Sequence, residues 1–152
     1  MCIRDSLGKK ENGERYIRKP ADWKRYAACA DYLQMNQGEF EILSETSATE
    51  ENITEFFQSL KELDWEALSI TLAELGSYLI YDDFGDVVCH QLTAPRVEFL
   101  ADTTGCGDVF AAAFSAAVCT GFSSKLAAWT ANQKASDNCR YAGVENLSLE
   151  KL

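Results

Sequence analysis

Residues 101–118 read ADTTGCGDVFAAAFSAAV, a small and apolar run interrupted by two glycines and two acids. A loop TTGCG running into a helix exposes backbone N–H groups that have no intrahelical partner, at an end where the helix dipole adds partial positive charge. Such an end attracts anions. Gly105 and Gly107 let the backbone approach a phosphate closely and take turns closed to larger residues, whereas an ordinary turn needs only one glycine. Asp108 is the residue that anion binding alone does not explain. A carboxylate opposes a phosphate unless it has a proton to collect, and a general base for an alcohol is such a group.

The elements that must position this stretch can be read from apolar spacing. Residues 31–36, DYLQMN, form a compact apolar run ending on a polar residue, as a buried parallel strand would, with Asn36 at its carboxyl end. Ser47 with Glu50 fits a capping box, and Ile53, Phe56, Phe57, Leu60 and Leu63 follow at helical spacing. Residues 67–72, ALSITL, read as a second buried strand. Gly76 provides a turn, after which SYLIYDD and DVVCHQL pair as a hairpin around Gly85. Strand following helix favours a parallel sheet at the core. After Pro95 and a short extended run at 97–100, the segment 109–119 is apolar on all sides and is expected to be a buried helix ended by Gly121. A last helix is expected from Ser123 or Ser124 to about Tyr141, with Gly143 as its cap. Upstream, residues 7–22 read as a polar loop and residues 23–29 as a short helix.

The 152 residues, 47% hydrophobic and 25% charged, suit one globular α/β core. No apolar run reaches the length a membrane-spanning helix needs. A formal net charge of −10 argues against nucleic-acid and anionic-membrane partners, since the basic residues between Lys9 and Arg25 are interleaved with acids. The six cysteines form no C-x-x-C pair, which suggests reduced thiols in a cytoplasm rather than a zinc or redox motif. The lone His90 sits in a strand-like stretch and reads as structural. MCIRDS, residues 1–6, has no signal-peptide or transit pattern and is expected to be a non-native or disordered start.

DTTGCGD followed by small residues resembles the anion-hole and catalytic-base signature of ribokinase-type (PfkB) carbohydrate kinases, with Cys106 where that family usually has a smaller residue. MNQGEFEIL is similar to the family's N-x-x-E motif, through Asn36 and Glu39. ITLAELGSYL resembles its nucleotide-side strand and turn, with Ala73 in place of a common glycine, and ANQKASDNCRYAG its adenine-flanking helix.

The resemblance implies a partial Rossmann-like ribokinase fold, the C-terminal part of a mostly parallel sheet flanked by helices, over residues 7–152. It implies ATP and Mg²⁺, with K⁺ as a candidate monovalent cation. Asp108 would be the base and Gly105, Cys106 and Gly107 the anion hole. Thr71, Gly76, Asn132 and Ala135 would line the nucleotide, Asn36 and Glu39 would organise Mg²⁺ through water, and Asp102 and Thr104 would face the monovalent cation with carbonyls near Gly143. A sugar or polyol would be the acceptor, and a homodimer of the complete parent is compatible. Family members are roughly twice as long, so the chain alone is expected to be inactive. Two other readings stay open: a nucleotide-binding or regulatory module without catalysis, and a structural fragment without a ligand.

Overall fold

A computed structural model describes residues 7–9, 15–17 and 19–142. The expected non-native start at 1–6 and the expected cap Gly143 lie outside these residues. The chain divides into two compact units, residues 1–72 with 78–91, and residues 73–77 with 92–152.

The first unit opens with β1 (Leu7–Lys9) and β2 (Arg15–Ile17), an antiparallel ribbon with Leu7 opposite Ile17. This corrects the expected loop over 7–22: a ladder is held by main-chain groups, so a polar composition does not exclude one. After α1 (Trp23–Ala27) come β3 (Tyr32–Asn36), α2 (Gln37–Ser44), α3 (Glu50–Gln58) and β4 (Ala67–Thr71). The strands β5 (Ser77–Asp83) and β6 (Asp86–Leu92) complete a sheet of order β3-β4-β5-β6. β3 and β4 are parallel, in a register that sets Asn36 opposite Thr71. The helical crossover between them has the length a parallel pair requires, whereas the short links after β4 and β5 allow only antiparallel neighbours, so the sheet is mixed.

Alternation along β3 buries Leu33 and Met35, and β4 is buried from Ala67 to Ile70. Leu33, Met35, Leu68 and Ile70 meet Trp23, Phe40, Leu43, Ile53, Phe57 and Ile80 in one apolar cluster. Trp23 stacks on Phe56 and Phe40 meets the same ring edge-on, with centroids 5.9 and 5.3 Å apart. The buried Trp65 indole N–H donates to the Ala27 carbonyl at 2.9 Å.

Two helix starts differ from expectation. α3 is capped by Thr49, whose side chain accepts from Asn52 N, while Ser47 accepts from the Asn52 side chain. The expected Ser47–Glu50 capping box is therefore not formed, because the helix starts two residues later than that box requires. The capping box falls instead at α2, a helix whose start the spacing Asn36-x-x-Glu39 encodes.

In the second unit, α4 (Cys106–Cys119) packs on α5 (Ser124–Asn138). Phe110, Ala113, Phe114 and Ala117 of α4 and Ala127, Ala128 and Ala131 of α5 are buried. α4 is not covered on all sides as its composition suggests: Ala112, Ser115, Ala116 and Cys119 are exposed. Spacing of i, i+3, i+4 and i+7 gives one stripe, and that stripe alone is buried. α5 is capped by Ser123 and ends at Asn138 rather than near Tyr141. The Cys139 carbonyl, which would continue the helix, instead accepts from Ala101 N and Asp102 N at 2.9 and 3.3 Å. Residues 97–100 form no strand and bend at Glu98 and Phe99.

Candidate active site

In the second unit the chain approaches α4 through a tight turn. The Cys106 amide donates to the Thr103 carbonyl at 3.2 Å, the Thr104 amide donates to Asp102 Oδ1 at 2.9 Å, and Gly105 stands at the N-cap with φ of 80°. That left-handed backbone is why glycine is needed there. Gly107 is different. It lies in the first helical turn, and a Cβ built on it would meet no atom within 4 Å. Neither backbone conformation nor internal packing requires glycine at 107, although glycine costs a helix about 1 kcal/mol relative to alanine. Asp108 follows in the same turn and is exposed.

The start of this turn is tied to the end of α5. Asn138 donates through Nδ2 to the Thr104 carbonyl at 3.4 Å and to Cys106 Sγ at 3.5 Å. Cys106 Sγ and Cys139 Sγ lie 2.9 Å apart, and Cys139 Sγ also reaches the Ala135 carbonyl at 3.4 Å. Burial first, then the Cys106 thiol and the charge of Asp102, push the Cys139 thiol up to about 12. Sequence reading missed Cys139 and Asn138, because nothing local marks a partner on another helix.

Gly76 and Asn132 also converge within this unit. At Gly76, φ is 96° and a Cβ would run into the Leu92 carbonyl oxygen and stand 2.6 Å from Ala94 N. That same Leu92 carbonyl accepts from Asn132 Nδ2 at 3.3 Å, and Asn132 also donates to Ser77 Oγ at 3.0 Å. Asn132 is thus buried and bonded rather than a surface helix residue. Ala135, one turn further along, is half-buried and accepts from Cys139 N through its carbonyl.

The first unit holds the remaining candidates. Asn36 Oδ1 accepts from Glu39 N at 2.9 Å and Glu39 Oε2 accepts from Asn36 N at 2.8 Å, so each side chain secures the other's backbone at the carboxyl end of β3. Thr71 ends the neighbouring strand at the same level. His90 faces Tyr81, with Nε2 3.3 Å from the phenolic oxygen, as a structural histidine would. Among the described residues no group of three or more His, Cys, Asp or Glu side chains could hold a metal ion by itself, and no helix is long and apolar enough to cross a membrane.

The fold that carries this parallel strand pair and this glycine-rich turn matches that of solved ribokinase-type kinases. The chain superimposes on part of Arabidopsis thaliana ribokinase, solved with ribose and ATP, with a TM-score of 0.69 and 26% identity, covering 79% of this chain and 38% of that one. It also superimposes on part of adenosine kinase from Sinorhizobium meliloti, with a TM-score of 0.70 and 23% identity, covering 84% of this chain and 37% of that one. The pattern of the pfkB family carbohydrate kinases matches residues 4–152. The chain belongs to that family. The bifunctional protein HldE of Hydrogenovibrio crunogenus is 32% identical over 135 residues, 88% of this chain, and HldE of Aliivibrio salmonicida is 33% identical over the same length. The chain spans 27% of the length of these two relatives.

Proposed function

We propose that this chain is the nucleotide-side part of an ATP-dependent kinase that transfers the γ-phosphate to a hydroxyl of a sugar or related polyol. The observation that carries the reading is Gly107: a glycine in a helical turn, with open space where its side chain would stand, fits a backbone that a phosphate must approach. The amides of the turn 105–108 would receive the charge of the phosphoryl group in transfer, as positioned donors do. Asp108 would take the proton of the attacking hydroxyl. The ribose and ATP of the Arabidopsis relative support this class of acceptor and donor.

Asn36 and Glu39 offer hard oxygen ligands suited to Mg²⁺ held through water, and Thr71 stands level with Asn36 for the phosphate side. Bound Mg²⁺ would neutralise phosphate charge. Asp102 and Thr104 would face a monovalent cation such as K⁺, and Gly76, Asn132 and Ala135 would border the nucleotide. The acceptor would be held mainly by residues outside this chain, so residues 7–152 alone would transfer phosphate negligibly.

Calorimetry of the chain with MgATP tests the binding half of this reading. Gly107→Ala should weaken binding, and equal binding by both forms removes the phosphate from this turn. In the complete protein, Asp108→Asn should lower kcat by about 10²-fold or more with MgATP affinity retained. An unchanged kcat removes Asp108 as base, and MgATP binding without transfer to any sugar or polyol favours a binding module.

A further inference from the structure

We propose that Cys106 and Cys139 form a dithiol–disulfide pair through which the redox state of the surroundings controls the anion-binding turn. The proposal rests on the reading of that turn as the phosphate site.

The two sulfurs lie 2.9 Å apart although the residues are 33 positions apart in sequence, one at the first residue of α4 and the other at the cap of α5. Both thiols are half-buried, so a small reagent can reach them. Their backbones are held in place from several sides. The Cys139 carbonyl accepts from Ala101 N and Asp102 N, the Cys106 amide donates to Thr103, and Asn138 bridges the Thr104 carbonyl and Cys106 Sγ. Neither helix has to travel for the sulfurs to meet, since they already lie within 2.9 Å of each other.

The oxidant is a low-molecular-weight disulfide, RSSR. One protein sulfur, as thiolate, attacks a sulfur of RSSR, forming a mixed disulfide and expelling RS⁻, which takes up a proton. The second protein sulfur gives up its proton and attacks the first, expelling the other RS⁻, again protonated. In sum, two protein thiols and RSSR become one protein disulfide and two RSH, the protein losing two electrons and RSSR gaining them.

The bond draws the sulfurs from 2.9 Å to about 2.05 Å. Cys106 is the first residue of α4, between Gly105 and Gly107, so a covalent tie to Cys139 removes the freedom of the turn to adjust its amides around a phosphate. Cys139 accepts from Ala101 N and Asp102 N through its carbonyl, so the loop before the turn is held by the same tie. Oxidation should therefore weaken MgATP binding, and reduction should restore it.

The test uses the full 152-residue chain, incubated with oxidised glutathione or with dithiothreitol. Digestion without reductant and mass spectrometry should find the Cys106 peptide joined to the Cys139 peptide, with Cys29, Cys89 and Cys119 as internal controls. Calorimetry should show MgATP affinity lower by about tenfold or more in the oxidised chain, recovered with dithiothreitol. Cys139→Ser and Cys139→Ala should bind MgATP equally under both treatments. Absence of the joined peptide overturns the pairing. A joined peptide with unchanged MgATP affinity overturns the control. A reduced chain that does not bind MgATP overturns the control and the nucleotide reading together, while the peptide map still decides the pairing.

Discussion

Asn132 and Ser77, 55 positions apart in sequence, share a buried hydrogen bond of 3.0 Å that fastens the middle of α5 to the first residue of β5. The same amide nitrogen reaches the Leu92 carbonyl at 3.3 Å, at the far end of β6. One side chain thereby joins three separate segments of the second unit.

Asn132→Ala leaves the Ser77 hydroxyl and the Leu92 carbonyl without that donor, and should cost about 1–3 kcal/mol of stability. Ser77→Ala should cost less, since Asn132 keeps its bond to Leu92. Urea denaturation of both single variants and the double variant checks this, and coupling is expected because the two side chains touch.

Gly76→Ala combines an unfavourable backbone angle with a collision against main-chain atoms of Leu92 and Ala94 that no side-chain rotation relieves. A loss of about 2–4 kcal/mol is expected, larger than an ordinary surface substitution gives. Gly107→Ala serves as the contrast in thermal unfolding: with open space around the new methyl, stability should hold or rise slightly.

Glu39 has a structural duty and a proposed ligand duty, and Glu39→Gln separates them. Glutamine can still accept from the Asn36 amide, so stability should fall less than in Glu39→Ala, where loss of the box costs about 1 kcal/mol. If Glu39 also organises Mg²⁺, the Gln variant should need more Mg²⁺ to bind ATP. Denaturation and calorimetry at several Mg²⁺ concentrations supply the two readouts.

Cys89 predicts alkaline behaviour. Burial, and secondarily the charge of Glu50, raise its thiol from 9.0 to about 11. Between those values the unfolded chain releases a proton that the folded chain keeps, so stability is full below pH 9 and declines as pH rises toward 11. Cys89→Ser should flatten that decline, whatever it does at neutral pH. Thermal midpoints measured from pH 7 to 11 check the slope.

Where a single periodicity governed a segment, it was legible. The hairpin strands at 77–83 and 86–92 agree with the sequence reading, and β3 and β4 agree to within one residue. The stripe Ile53, Phe56 and Phe57 lies on α3 as expected, but Leu60 falls beyond its end and Leu63 in the 3₁₀ turn that follows. α2 was hidden because Asn36-x-x-Glu39 carries two meanings: the residues that resemble a metal motif have the spacing of a helix cap. The glycine-rich turn was legible because its residue types are costly anywhere else. Gly76 was legible as a turn, but its close packing was not, since its collision partners lie across the fold. The Cys106–Cys139 contact was not legible at all, because it depends on where two helices end.

The buried alanines of α5 set a direction in which this protein can be damaged. In the first unit, Phe40, Met35 and Ile53 fill space, so truncation leaves a hole and costs about 2–5 kcal/mol. In the second unit, Ala127, Ala128 and Ala131 are completely buried and already nearly as small as a side chain can be. There is little to remove there. Enlargement is the hazard: a single valine at any of the three must displace its neighbours or twist its own rotamer, at about 1–3 kcal/mol. Inherited variation should therefore be filtered oppositely, against shrinkage at Met35, Phe40 and Ile53 and against growth at Ala127, Ala128 and Ala131.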